Sequence, residues 1–151
     1  MVQKGDERMT IWFDMDGTIA NLYGVEGWLE DIRARRTRPY DEAQVMLNMS
    51  LLARLLHQVQ NNGHEIGIIS WTAKNGSDLY NGEVALAKMM WLHRHLPSVV
   101  WDEIKIVPYG TNKRNAANGD ILFDDEEPNR IAWGEGAYTP EHILEVLKGL
   151  K

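Results

Sequence analysis

A chain of 151 residues, 44% hydrophobic and 25% charged, has the make-up of one soluble globular domain with room for a real core. A formal net charge of -6 argues against a broad nucleic-acid-binding face, and the absence of cysteine excludes disulfides, zinc–thiolate sites and thiol catalysis. The stretch Met1 to Arg8 lacks the apolar centre of a signal peptide, and no apolar run approaches a membrane span. The expectation is a soluble cytoplasmic protein with no membrane partner.

The first readable element is Ile11-Trp12-Phe13, a short apolar run that predicts a buried strand. It ends abruptly in Asp14-Met15-Asp16-Gly17-Thr18, two aspartates one residue apart, with a glycine that permits a sharp turn. Ile19 to Tyr40 shows no strand period and carries Tyr23, Trp28 and the basic cluster Arg33, Arg35, Arg36 and Arg38, so it reads as an irregular or short-helical insert. From Asp41, a plausible N-cap, Val45, Met49, Leu52, Leu56 and Val59 recur at helical spacing up to the stop Asn61-Asn62-Gly63. A second buried strand, Ile66 to Ile69, runs into Ser70-Trp71-Thr72. Lys74 to Gly82 reads as a loop and Glu83 to Leu96 as a helix closed by Pro97. Ile104 to Val107 predicts a third strand, and Thr111 to Gly119, which contains Lys113, a single helical turn. Ile121 to Phe123 predicts a fourth strand ending in Asp124-Asp125, and Thr139-Pro140-Glu141 opens the last helix with threonine as its cap.

Strands alternating with helices imply an α/β fold with a mainly parallel sheet covered on both faces. In a parallel sheet the strand ends converge on one edge, where open α/β proteins bind ligands. Asp14, Asp16, Ser70, Lys113, Asp124 and Asp125 then meet there. Close carboxylates repel unless a cation or a shared proton compensates, and hard oxygen donors without histidine or cysteine suit Mg²⁺. The five histidines, His57, His64, His93, His95 and His142, are scattered and read as surface or packing residues. A calcium loop starting at Asp14 fails, because it needs glycine where Ile19 stands and glutamate where Val25 stands.

In their order and contexts these motifs resemble the haloacid dehalogenase superfamily: Asp-Met-Asp-Gly-Thr after a strand, a serine ending the next strand, a lysine, then Asp-Asp after another. The resemblance spans about Ile11 to Asn129 and is greatest to small phosphatases of the 5'(3')-deoxyribonucleotidase kind. It implies a Rossmann-like three-layer sandwich over residues 1–151, with a small cap insert at about 19–40. It further implies that Asp14 is the nucleophile and that Asp16 moves protons to the leaving oxygen and from water. Mg²⁺ would be held by Asp14, the backbone carbonyl of Asp16, and Asp124, with Asp125 close by; Ser70 and Lys113 would hold the phosphoryl group, with the amides of Met15 and Asp16. The implied activity is Mg²⁺-dependent hydrolysis of small phosphate monoesters through an aspartyl-phosphate, with (deoxy)nucleoside monophosphates as leading substrates.

Several residues admit more than one role. Ser70 or Thr72 supplies the hydroxyl, and strand register selects Ser70. Trp71 either stacks on a nucleobase or packs the insert, and Trp28 fits packing better. The arginine cluster forms a solvated face or meets a second anion. Asn129 assists at the site or bonds to local backbone. Two other functions use the same core: a polynucleotide end phosphatase, which needs an open basic approach, and a non-catalytic Mg²⁺- or phosphate-binding module.

Overall fold

The computed structural model describes residues 7–151, so the polar N-terminal stretch lies, up to residue 6, outside the described residues. In chain order the strands are β1 (Thr10–Phe13), β2 (Ala20–Asn21), β3 (Gln44–Val45), β4 (Glu65–Trp71), β5 (Glu103–Val107), β6 (Ile121–Phe123) and β7 (Ala137–Tyr138). The helices are α1 (Trp28–Arg33), α2 (Arg38–Glu42), α3 (Met49–Asn61), α4 (Asp78–His95), α5 (Lys113–Ala116), α6 (Glu127–Trp133) and α7 (Ile143–Leu150). Five strands form one sheet in the order β5-β4-β1-β6-β7, with every neighbouring pair parallel.

The sheet separates two apolar layers because successive side chains in a strand point to opposite faces. Ile11, Phe13, Ile66, Ile68, Ile121 and Phe123 share one face with Leu52, Leu56 and Val59 of α3 and Ile143 and Leu147 of α7. Trp12, Ile69 and Leu122 face the other way, against Ala117 and Trp133 near α5 and α6. The Trp12 ring lies across Gly67 of β4, where any Cβ would strike the indole. This is the three-layer α/β sandwich that the sequence predicts. Among the described residues no helix is long and apolar enough to cross a membrane.

β1 lies between β4 and β6, so the chain leaves it toward one edge of the sheet and later returns to its other side. That reversal opens a crevice at the carboxyl end of β1. The residues that follow Phe13 sit at this point.

The structure corrects several boundaries. The helix expected from Asp41 begins at Met49, capped by Asn48, whose Oδ1 accepts from the Leu51 N–H at 3.0 Å. Asp41 belongs to the short α2, and Val45 pairs with Ala20 in the antiparallel β2–β3 ribbon instead of facing the core. The loop expected through Gly82 ends at Ser77, whose Oγ accepts from the Tyr80 N–H and starts α4 five residues earlier than Glu83. Thr139 precedes the last helical segment, but its side chain makes no capping bond; a 3₁₀ turn at Pro140–His142 leads into α7. α6 and β7 add to the elements the sequence predicts, and each is short enough to escape a periodicity argument.

Residues 19–45 fold over the carboxyl edge of the sheet. Leu22 and Tyr40 from this insert bury against Ala73, Tyr80, Val84 and Ala87, with Trp28 and Ile32 packed alongside. Asp31 ties the segment together by pairing with both Arg36 and Arg38.

Candidate active site

The turn after β1 is closed by its own backbone. The N–H groups of Thr18, Ile19 and Ala20 all donate to the carbonyl of Met15, and the Asp14 N–H donates to Phe123 of β6 at 2.9 Å. The amides of Met15 and Asp16 are not donors in this turn network. Gly17 takes a φ of +80°, and a Cβ there would collide with the carboxylate of Asp125. Glycine is therefore required twice over, for backbone conformation and for space. The Met15 side chain is buried in the core, so only its backbone faces the turn.

Lys113 joins the two acidic strand ends. Its ammonium lies 2.9 Å from Oδ1 of Asp14 and 2.7 Å from Oδ2 of Asp124. All three residues are buried. Burial alone would lower the lysine's pKa, but Asp14 and Asp124 outweigh it and raise it, so the ammonium stays charged. Asn112 sets this up by capping α5, so the first helical residue is Lys113.

The acids carry more charge than this lysine neutralises. Asp14, Asp124 and Asp125 each offer a carboxylate oxygen, all within 4.8 Å of one another. Burial, then the charge of Asp14, pushes Asp124 up to about 6 against the opposing pull of Lys113. Burial and Asp14 push Asp125 up to about 8. Thr18 Oγ1 bridges Asp14 Oδ2 and Asp125 Oδ1 at 3.2 and 3.3 Å. Asp124 is also held by the Glu126 N–H at 2.9 Å and by Asn129 Nδ2 at 3.1 Å, which places Asn129 at the site. Three hard oxygen donors this close together, with the ionisation of Asp124 and Asp125 held back, fit a small divalent cation. The Asp16 carboxylate stands apart from this triad.

Asp16 pairs instead with a residue that the sequence did not single out. Lys88, in the middle of α4 and 1% exposed, donates to Asp16 Oδ2 at 2.8 Å. The same ammonium donates to Ser70 Oγ and to the Trp71 carbonyl, each at 2.7 Å. Burial, the larger effect, raises the pKa of Asp16, while Lys88 opposes it. A lysine within a helix ordinarily points to solvent, so the only available signal was its position among buried residues Val84, Ala87, Trp91 and Leu92.

Ser70 is fully buried within β4 with its oxygen on Lys88, and it does not line the cavity. β4 continues to Trp71, one residue beyond Ser70, and Thr72 is the hydroxyl residue on the cavity wall. Residues two apart share a strand face, so register does not separate Ser70 from Thr72; the strand end at Trp71 does, leaving Ser70 within β4 and Thr72 beyond it.

The cavity itself measures about 670 Å³. Asp14, Asp16, Lys113 and Asn129 lie on its wall, as do Tyr23, Trp28, Leu29 and Ile32 of the insert. Trp71 also lines it, 4.9 Å from the Tyr109 ring, with its indole N–H on the Thr111 carbonyl at 2.9 Å. Trp28 both packs against Tyr23, at 4.9 Å, and reaches the cavity. Burial and then Asp16 push the Tyr23 hydroxyl well above its ordinary range, and Tyr40 behaves alike. The arginine cluster divides: Arg36 and Arg38 pair with Asp31, whereas Arg33 and Arg35 line the cavity. His64 is buried, with Nδ1 accepting from the Met9 N–H at 3.0 Å, a packing role.

No family model matches this chain, and no curated protein matches it. Among solved structures, a D,D-heptose 1,7-bisphosphate phosphatase from Burkholderia thailandensis is similar at a TM-score of 0.58 and 14% sequence identity. The match covers 94% of this chain and 97% of that one. A likeness at this identity establishes a shared α/β fold over nearly the whole of both chains.

Proposed function

We infer that this chain is a haloacid dehalogenase-like phosphatase that hydrolyses small phosphate monoesters with Mg²⁺ through an aspartyl-phosphate on Asp14. The observation that carries the reading is the buried Lys113 held between Asp14 and Asp124, with Asp16 two residues beyond Asp14 on the same cavity wall. A phosphatase with the same fold supports it.

Asp14 supplies the attacking oxygen, and its contact with Lys113 fixes the carboxylate and offsets charge as the anionic ester approaches. Asp16 gives a proton to the departing ester oxygen and then takes one from the water that cleaves the aspartyl-phosphate. Thr72 replaces Ser70 in our assignment of the phosphoryl hydroxyl, because Thr72 faces the cavity. The amides of Met15 and Asp16 complete the cradle for phosphoryl oxygens. Asp14, Asp124 and Asp125 would hold Mg²⁺, with the Asp16 carbonyl, and the bound cation supplies charge neutralisation between two anions that must meet.

Residues 19–45 act as the cap, and their apolar and aromatic wall takes the organic part of the ester. The facing aromatic corner of Trp71 and Tyr109 favours a planar group, which keeps (deoxy)nucleoside monophosphates as the leading substrates. A cleft walled on one side by the insert, in a chain of net charge -6, favours such small molecules over polynucleotide ends. The lack of cysteine suits a reducing, cytoplasmic setting.

The test is hydrolysis of a generic phosphate ester in Mg²⁺ by the protein and by Asp14→Asn. The substitution is expected to abolish turnover. Retained activity overturns the mechanism.

A further inference from the structure

Lys88 has more contacts than a packing role requires. Among the described residues Lys88 and Lys113 are the two buried lysines, and only Lys113 lines the cavity. An ammonium has three N–H groups, and Lys88 commits them to Asp16 Oδ2, Ser70 Oγ and the Trp71 carbonyl at 2.8, 2.7 and 2.7 Å. The Tyr40 ring lies 5.3 Å away on the insert side. Two of the three acceptors are neutral oxygens of β4, so the charge is anchored on the sheet and directed at a single carboxylate. Burying an ammonium is costly unless it is paired and fully hydrogen-bonded, and a leucine or methionine would fill the same space without that cost.

The tripod fixes one oxygen of Asp16. Oδ2 is held by Lys88, whereas Oδ1 has no hydrogen-bond partner among the described residues, on a side chain that is 19% exposed at the cavity wall. From this juxtaposition we propose that Lys88 is the positioning residue for Asp16, holding Oδ2 so that Oδ1 is the atom that exchanges the proton. The proposal rests on the phosphatase reading above.

In the first step an Asp14 oxygen bonds to phosphorus, the ester P–O bond breaks, and the Asp16 proton passes from Oδ1 to the departing oxygen. In the second, water bonds to phosphorus, the Asp14–phosphorus link breaks, and a water proton returns to Oδ1. Lys88 does not line the cavity, and its three N–H groups are committed to Asp16 and β4. Its effect is on where Oδ1 stands, to which proton transfer is sensitive.

A leaving-group comparison separates positioning from simple stabilisation. p-Nitrophenolate departs without help, whereas phenolate needs a proton. Lys88→Met is expected to lower kcat/KM for phenyl phosphate about tenfold more than for p-nitrophenyl phosphate, with Asp16→Asn setting the upper limit of that bias. Ser70→Ala keeps the lysine and removes one anchor, so it is expected to give a smaller bias of the same sign. It covers the case in which Lys88→Met fails to fold. Equal losses on both esters, or no loss, in the folded variants overturn the positioning role while leaving the phosphatase reading intact. A parent protein that hydrolyses neither ester in Mg²⁺ overturns both.

Discussion

The ammonium of Lys113 lies 2.9 Å from Oδ1 of Asp14, although 99 residues separate them in the chain. The contact is buried, and the same ammonium reaches Asp124 at 2.7 Å. Removing one partner of such a cluster leaves charge stranded in the interior. Lys113→Met is expected to cost about 3–5 kcal/mol of folding stability in metal-free protein, read by urea unfolding, and to abolish turnover. Mg²⁺ is expected to restore part of the stability and none of the activity, since the cation relieves the acids without replacing the ammonium at the phosphoryl group.

The acid cluster sets a pH dependence with a definite sign. Asp124 at about 6 and Asp125 at about 8 are both raised above the unfolded carboxylate range. The folded state therefore binds more protons than the unfolded one, and stability falls as pH rises. In EDTA the melting temperature is expected to decline from about pH 4 to pH 8, and Asp125→Asn to flatten the upper half of that decline. Added Mg²⁺ is expected to raise the melting temperature most at the alkaline end, where the acids are ionised. A metal-free melting temperature that climbs over this range would contradict the cluster's charge balance.

Gly17→Ala combines a left-handed φ with a collision against Asp125. The expected stability loss is about 1–3 kcal/mol, with a larger loss of Mg²⁺ affinity because the displaced side chain is a proposed ligand. Isothermal titration with Mg²⁺, set beside thermal unfolding, measures the two effects separately.

Trp71 tests the organic side of the substrate. If a base lies against it, Trp71→Ala should raise KM for a nucleoside monophosphate about five- to a hundredfold while kcat for β-glycerophosphate stays within about twofold. Equal effects on both substrates would assign Trp71 to packing, through its bond to Thr111.

What the sequence makes legible follows burial and locality. β1, β4 and β6 stand out because they are apolar and end in polar clusters, and the acids at their ends need no tertiary knowledge to be noticed. Lys113 is singled out in the sequence by its place in the segment before β6. Lys88 is not legible in the same way: it is the one lysine of α4, a helical lysine ordinarily points to solvent, and its place among Val84, Ala87, Trp91 and Leu92 is a weak sign that it turns inward. Alternation cannot separate Ser70 from Thr72, because residues two apart share a strand face; the position of the strand end does, and β4 runs to Trp71, which leaves Ser70 inside the strand and Thr72 just beyond it. The α3 start moved to Met49 because Val45 fits both a helical face and the β2–β3 ribbon, and only the pairing with Ala20 decides.

That ribbon has a further consequence. Because Ala20 and Val45 are partners, the insert leaves the sheet edge and returns to it at nearly one point. A loop with adjoining ends can be lengthened, shortened or exchanged at small entropic cost to the scaffold beneath. On the proposed function, reaction and selectivity would thus occupy separable tracts of the polypeptide. Segments of other lengths could be grafted between positions 20 and 45 while the sheet and the strand ends beneath them stay as they are.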